Sequence, residues 1–317
     1  MPIDAALTSR FPLLEGIDSW DAIDTVPGAR ARMDAFEADD APWAAPDVPH
    51  HDVPLNAAGH PFRVRVYGTG DGSAPALVWV HGGGFLAGDL EMRESDLVAR
   101  EVAVRIGGVV VAVDYSLVPA VTYPVPHHQV MTAWRWTREH AEALGVHVDR
   151  IGLGGASAGG ALSLAAAREL AAEGEHPAVL VLAYPVAHRR WGVDADLDAA
   201  MAGVPPMFRY PPATVEQLNA GYLGETPSAS FAFVDTADPA ELAALPPTLV
   251  LVAEYDDLRT SADLYVRQAR AAGGRVERVL VKGVLHGHLN RTPAFPPMDR
   301  SLADIARVVA TGRVAPN

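Results

Sequence analysis

Two short glycine-bearing motifs hold the residues of this chain best suited to chemistry: His81-Gly82-Gly83-Gly84 and Gly155-Ala156-Ser157-Ala158-Gly159. Each ends an apolar run that reads as a buried β-strand, Leu77 to His81 and Ile151 to Gly155. In the second motif a serine sits between glycines on a strand-to-helix turn too tight for bulky neighbours, which leaves its Oγ standing above a sheet. In the first, consecutive glycines let backbone N–H groups approach a ligand closely, as a developing oxyanion requires. Neither pattern is specific alone. Together, in this order and each after a strand, they point to Ser157 as a nucleophile, framed by Gly155 and Gly159, with a stabilising hole built on the loop that starts at His81 and Gly82.

A serine hydroxyl is a poor nucleophile at neutral pH, so it needs a base, and the base needs an acid to fix its tautomer and balance its cation. Downstream of Ser157 the chain offers Glu254-Tyr255-Asp256-Asp257 directly after the apolar strand Thr248 to Ala253, then His286-Gly287-His288 beyond the strand Val276 to Val281. Both groups fall at strand carboxyl ends and can point into one crevice. Asp256 is preferred to Asp257, although a carboxylate after a strand also caps the next helix. Position favours a base at this strand end, and spacing alone leaves His288 in competition with His286.

These residues must be positioned by a larger frame. From Arg63 onward, short β-branched runs alternate with longer helical ones: strands at Arg63–Tyr67, Leu77–His81, Val109–Asp114, Ile151–Gly155, Val179–Tyr184, Thr248–Glu254 and Val276–Val281, and helices at Glu91–Ile106, His127–Leu144, Ala158–Ala172, Ser261–Ala272 and Asp299–Ala310. This is the α/β pattern of a mostly parallel central sheet with helices on both faces. Residues 1–50 mix aromatic, acidic and proline residues around a helical stretch, Ala29 to Ala38, and read as a helical segment forming part of a cap. Residues 51–317 are expected to form the catalytic domain, with a Pro-, Ala- and Met-rich cap insertion around 187–247. Met207, Phe208 and Tyr210 in that insertion are candidates for a substrate pocket, against the commoner use of such residues as cap core.

Composition narrows the function. With 317 residues, 49% hydrophobic and 20% charged, the chain can bury a large core. A net charge of −14 without a clustered basic footprint argues against nucleic acid and against an anionic membrane surface. No run is long enough to span a bilayer, and Met1 to Leu14 lacks the basic and apolar regions of a secretory signal, so a cytoplasmic location is expected. The absence of cysteine excludes a thiol nucleophile and thiolate-held metals. His50-His51, His127-His128 and His286-x-His288 lack metal-ligand spacing, and Gly152-Leu153-Gly154 has Ser157 where a dinucleotide fingerprint would place its third glycine. Neither a metal nor a cofactor is expected, the expected partner is a small molecule, and a homo-oligomer stays open.

The chain resembles the hormone-sensitive-lipase-like family of α/β-hydrolases, carboxylesterases with HGGG upstream of GxSxG. The likeness covers most of residues 50–310 and rests on His81-Gly82-Gly83-Gly84-Phe85 with Gly88-Asp89, Asp114-Tyr115-Ser116-Leu117-Val118-Pro119, Gly155 through Gly160, Tyr184-Pro185, Asp256-Asp257-Leu258-Arg259 and His286-Gly287. It implies the α/β-hydrolase fold with a helical cap, Ser157 as nucleophile, Asp256 as acid, His286 as base, and oxyanion donors at Gly83, Gly84 and Ala158. Position 288 is aromatic in many members, which favours His286. Ala156 stands where the family often has Asp, Ser116 and Ala120 where it often has Arg and Glu, and Asp257 where it usually has Pro. The resemblance implies cleavage of short- to medium-chain esters, without a cofactor, through an acyl-enzyme; amide or peptide hydrolysis by the same triad, or non-catalytic ligand binding on this fold, are the alternatives.

Overall fold

Strands apolar on both faces must be covered on both sides, and the computed structural model, which describes residues 2–39, 41–226 and 230–316, meets that requirement with one eight-stranded sheet. Its strands are β1 (His50–Ala57), β2 (His60–Tyr67), β3 (Ala74–Val80), β4 (Val109–Asp114), β5 (Val146–Ala156), β6 (Leu180–Ala183), β7 (Thr248–Tyr255) and β8 (Val276–Leu285), in the order β1-β2-β4-β3-β5-β6-β7-β8. The pairs from β4 to β8 are parallel, while β2 runs antiparallel to β1 and β4. Alternate residues of β3 serve two cores. Val78 and Val80 pack with the helices Val125–Glu139, Ala158–Ala172 and Arg259–Ala271; Leu77 and Trp79 pack with Arg93–Ile106 and Pro296–Thr311.

The strand β1 was not expected from sequence. It is a largely exposed edge strand containing Pro54, so it lacks the apolar signature of its neighbours. The expected helix His127–Leu144 is instead two helices, Val125–Glu139 and Ala141–Leu144, interrupted at His140. The N-terminal segment holds short helices, the longest being Ala29–Glu37, and joins the apolar core on one face through Leu14, Ile17, Met33 and Phe36. The insertion contributes to both cores, through Met201, Met207 and Phe208 on one side and Val215, Tyr222 and Phe233 on the other. No helix among the described residues is long and apolar enough to cross a membrane.

Strand order places the two glycine motifs side by side. The chain moves from β3 to β4 in one direction and later from β5 to β6 in the other, so the reversal lies between β3 and β5. That is where ligands enter a sheet of this kind. The two strand ends approach so closely that a Cβ on Gly159 would lie 2.2 Å from the Val80 carbonyl oxygen and 2.3 Å from that of His81. Gly155 is equally confined, its Cβ position being 2.5 Å from the Gly159 carbonyl oxygen.

Gly159→Ala should therefore lower unfolding free energy by more than the ~1–3 kcal/mol typical of overpacking, because backbone rather than a flexible side chain blocks the methyl group. Gly221→Ala is the matched control: it lies in the helix Pro212–Leu223 with nothing within 4 Å of the added carbon, and should raise stability by about 0.5–1 kcal/mol. Urea unfolding of the two variants checks both signs, and a stable Gly159→Ala protein would contradict the packing at this turn.

Candidate active site

The turn after β5 is strained. Ser157 has φ 51° and ψ −118°, a conformation that a residue with a Cβ adopts only when its surroundings enforce it. Its amide donates to the Ala183 carbonyl at the end of β6 over 2.9 Å, and the helix Ala158–Ala172 starts at the next residue. The adjacent strands β7 and β8 end together, with Tyr255 paired to Leu285, so Asp256 and His286 emerge next to each other. His286 Nε2 lies 2.9 Å from Ser157 Oγ, and His286 Nδ1 lies 2.7 Å from Asp256 Oδ2. The other carboxylate oxygen of Asp256 accepts from the Leu258 amide at 2.9 Å, fixing its plane.

Burial alone would depress the basicity of His286, but Asp256 at Nδ1, with Glu94 and Asp257 further off, outweighs it and lifts the imidazole above the ordinary histidine pKa. His288 faces elsewhere. Its Nε2 lies 2.9 Å from Ser301 Oγ, and burial together with the charge of His286 pushes its pKa down to about 3. The two adjacent aspartates also separate. Asp257 accepts from Arg209 Nε at 3.0 Å and from the Tyr210 amide at 2.7 Å, which ties the insertion to the end of β7.

The loop after β3 is braced from both sides. His81 Nδ1 lies 2.8 Å from the Gly82 carbonyl, its ring stacks on Tyr115 at 4.5 Å, and the Tyr115 hydroxyl donates to the same carbonyl at 3.1 Å. Burial lowers the His81 pKa, keeping this ring neutral at physiological pH. Gly83 has φ 106°, and a Cβ there would lie 2.0 Å from the Ala87 carbonyl oxygen, so only glycine fits. The Gly82 amide is occupied, donating to Glu94 Oε1 at 2.7 Å. Among the described residues no hydrogen bond engages the Gly83 and Gly84 amides, and Ala158, as the first residue of its helix, has an N–H without an intrahelical acceptor. Such an arrangement can take a proton from Ser157 Oγ and hold a negative oxygen beside it.

The insertion brings Tyr210 against the histidine. The Tyr210 ring lies 4.8 Å from that of His286, and its hydroxyl accepts from Trp20 Nε1 at 2.7 Å. Phe208 packs on Phe36 and Trp20, with ring separations of 5.2 and 5.8 Å, while Met207 is buried in the apolar core. Sequence reading missed Glu94, Arg209 and Asn290 around the site, and quoted Tyr184 as part of the family likeness without giving it a role. Glu94 looked like an ordinary acidic residue in the first turn of a helix, and Arg209 and Asn290 follow no periodic pattern.

A family model described as alpha/beta hydrolase fold matches residues 77–290. The chain is 30% identical over 319 residues to carboxylesterase NlhH of Mycobacterium tuberculosis, covering 98% of this chain and 93% of that protein. It is 29% identical over 271 residues to ethyl acetate hydrolase of Pseudomonas putida, covering 79% of each. A solved esterase structure from Pyrobaculum calidifontis superposes with a TM-score of 0.79 at 28% identity, covering 99% of this chain and 100% of that one. The glycine loop beside the serine turn, the eight-stranded sheet and these matches converge: the chain belongs to the hormone-sensitive-lipase-like family of α/β-hydrolases.

Proposed function

We propose that the protein is a serine carboxylesterase acting on small-molecule esters through an acyl-enzyme. The observation that carries this reading is the unbroken chain Ser157 Oγ, His286, Asp256, set beside the glycine loop Gly82–Gly84. His286 Nε2 takes the hydroxyl proton as Oγ attacks the ester carbonyl, and the N–H groups of Gly83, Gly84 and Ala158 hold the tetrahedral oxyanion. Collapse breaks the bond to the alkoxy group, which leaves as an alcohol with the proton from His286. Water then gives a proton to His286 as it attacks the acyl carbon, and His286 passes that proton to Ser157 Oγ as the bond to the acyl group breaks, releasing the acid and restoring the serine hydroxyl. Asp256 keeps Nδ1 protonated and balances the imidazolium throughout.

The N-terminal segment and the insertion together form the cap in this reading. Tyr210 and Trp20 wall the crevice beside His286, held there by the Asp257–Arg209 pair. A wall this close favours short chains, with activity highest at acyl groups of roughly two to six carbons.

Ser157→Ala should abolish hydrolysis of p-nitrophenyl acetate by a factor on the order of 10⁴ to 10⁶ in kcat while the far-UV spectrum is unchanged. Substantial turnover by this variant would overturn the proposal, and faster cleavage of p-nitroacetanilide than of the ester by the unaltered protein would favour an amidase.

The two aspartates should behave differently. Asp256→Asn removes the balancing charge and should cost on the order of 10⁴ in kcat, by analogy with the same change in serine proteases. Asp257→Asn should cost far less and act mainly on KM, since it loosens Arg209 and Tyr210. For the unaltered enzyme, kcat/KM should fall as pH drops through the His286 pKa, at a midpoint above about 6.5 because that pKa is raised. A larger kcat loss at Asp257, or a midpoint below the ordinary histidine value, would reverse the assignment.

Tyr210→Ala should move the chain-length optimum towards longer acyl groups. Met207→Ala should leave the optimum where it is and reduce stability by about 2–5 kcal/mol, as expected for a truncated core residue. A p-nitrophenyl ester series from acetate to laurate, run alongside thermal unfolding, separates the two effects.

A further inference from the structure

Beneath the glycine loop lies an acidic side chain that the reaction just described does not use. Glu94 opens the helix Arg93–Ile106, is 2% exposed, and has no cation paired with its carboxyl group among the described residues. Its oxygens instead receive donors from three separate strand ends. Oε1 accepts from the Gly82 amide after β3 at 2.7 Å; Oε2 accepts from the Tyr184 hydroxyl after β6 at 2.5 Å and from Asn290 Nδ2 after β8 at 3.4 Å. The backbone is fixed too, the Glu94 amide donating to Asn290 Oδ1 at 3.3 Å and its carbonyl accepting from Trp79 Nε1 at 2.8 Å. The Gly82 N–H and the Asn290 NH2 can only donate, and the Tyr184 hydroxyl completes the set as a third donor, an arrangement that suits an ionised carboxylate.

We propose that Glu94 is a positioning residue for this esterase, holding the oxyanion loop through the Gly82 amide and supplying a second negative charge that stabilises the His286 imidazolium. The proposal rests on the esterase reading above. Its first part follows from the hydrogen bonds: with the Gly82 amide engaged below, the next two amides are the ones left to face a substrate. Its second part follows from placement, because Tyr184, whose hydroxyl bonds Glu94, has its ring 5.0 Å from that of His286. Burial works against ionisation and raises the Glu94 pKa, while Tyr184 and Gly82 lower it. The other charged or titratable groups around His286 are Asp256 and Asp257 after β7, His288 on its own loop, Tyr210 from the insertion, and Glu37 and Arg291 across a small cavity. Glu94→Gln leaves all of these in place.

The test reads the His286 imidazole directly, by NMR titration of histidine-labelled protein, and in parallel through the acidic limb of kcat/KM for p-nitrophenyl acetate. In Glu94→Gln both midpoints should move to lower pH, on the order of one unit, since removing an anion destabilises the imidazolium. The value of kcat should fall roughly ten- to hundredfold with KM little changed, because the loop is held less firmly. Glu94→Asp should restore the midpoint without restoring kcat. Should Glu94→Gln fail to fold, Tyr184→Phe decides: it removes one donor from the carboxylate, leaves the ring, and should shift the His286 midpoint in the same direction. An NMR midpoint that stays put in the folded variant overturns the proposal. An NMR shift in a protein whose unaltered form cleaves no ester would instead refute the esterase reading and leave the Glu94–His286 coupling standing.

Discussion

The close approach of two backbones, at the end of β3 and in the turn after β5, is the constraint on which the rest of this site depends. Gly155 and Gly159 exist to permit it, since a single methyl group at either would collide with carbonyl oxygens at 2.6 Å or less. The contact forces Ser157 into a left-handed conformation, which turns its hydroxyl away from the helix that follows and towards the crevice. It also sets the glycine loop directly beside that hydroxyl, so donors and nucleophile are held at a fixed separation by main chain rather than by mobile side chains. The sheet supplies the rigidity behind both, with β3 and the part of β5 from Ile151 to Ala156 buried on each face.

Charge around the histidine is divided among carboxylates with separate tasks. Asp256 contacts the imidazole; Asp257, next in sequence, turns towards Arg209 and the Tyr210 amide and so connects the insertion to the strand end that carries Asp256. A proline at position 257 would have no side-chain oxygen to hold Arg209 or to accept from the Tyr210 amide. The insertion and the strand end that carries Asp256 are therefore mechanically joined in this chain. Tyr210, fixed at its amide by Asp257 and at its hydroxyl by Trp20, links insertion, N-terminal segment and histidine in one contiguous set.

The sheet and the serine turn were legible because their physics is local: apolar runs of strand length, and glycines where side chains would collide. Ser157, Asp256 and His286 are far apart in the chain but were legible from their places at strand ends and from the family resemblance, and the structure brings them within hydrogen-bonding distance. What sequence concealed is relational. The task of Asp257 depends on Arg209, 48 residues earlier, and that of Glu94 on Asn290, 196 residues later, so neither leaves a periodic trace. Strand β1 escaped notice because an edge strand with Pro54 and exposed polar residues has no need of alternation. Met207, Phe208 and Tyr210 form one aromatic and sulfur-rich patch in sequence, yet it is the Tyr210 ring that lies tilted against His286 while Met207 is in the core and Phe208 packs on Phe36; the direction of each side chain is set by the fold of the insertion, which the sequence pattern does not specify.

The central claim is that Ser157 is the covalent nucleophile, and the most direct measurement is stoichiometric labelling with diethyl p-nitrophenyl phosphate followed by peptide mass spectrometry. The account predicts one diethylphosphoryl group per chain, located on the peptide bearing Ser157, with ester hydrolysis lost in proportion to labelling. A phosphoryl group on another residue with the same loss of activity, or undiminished hydrolysis by fully labelled protein, would contradict it.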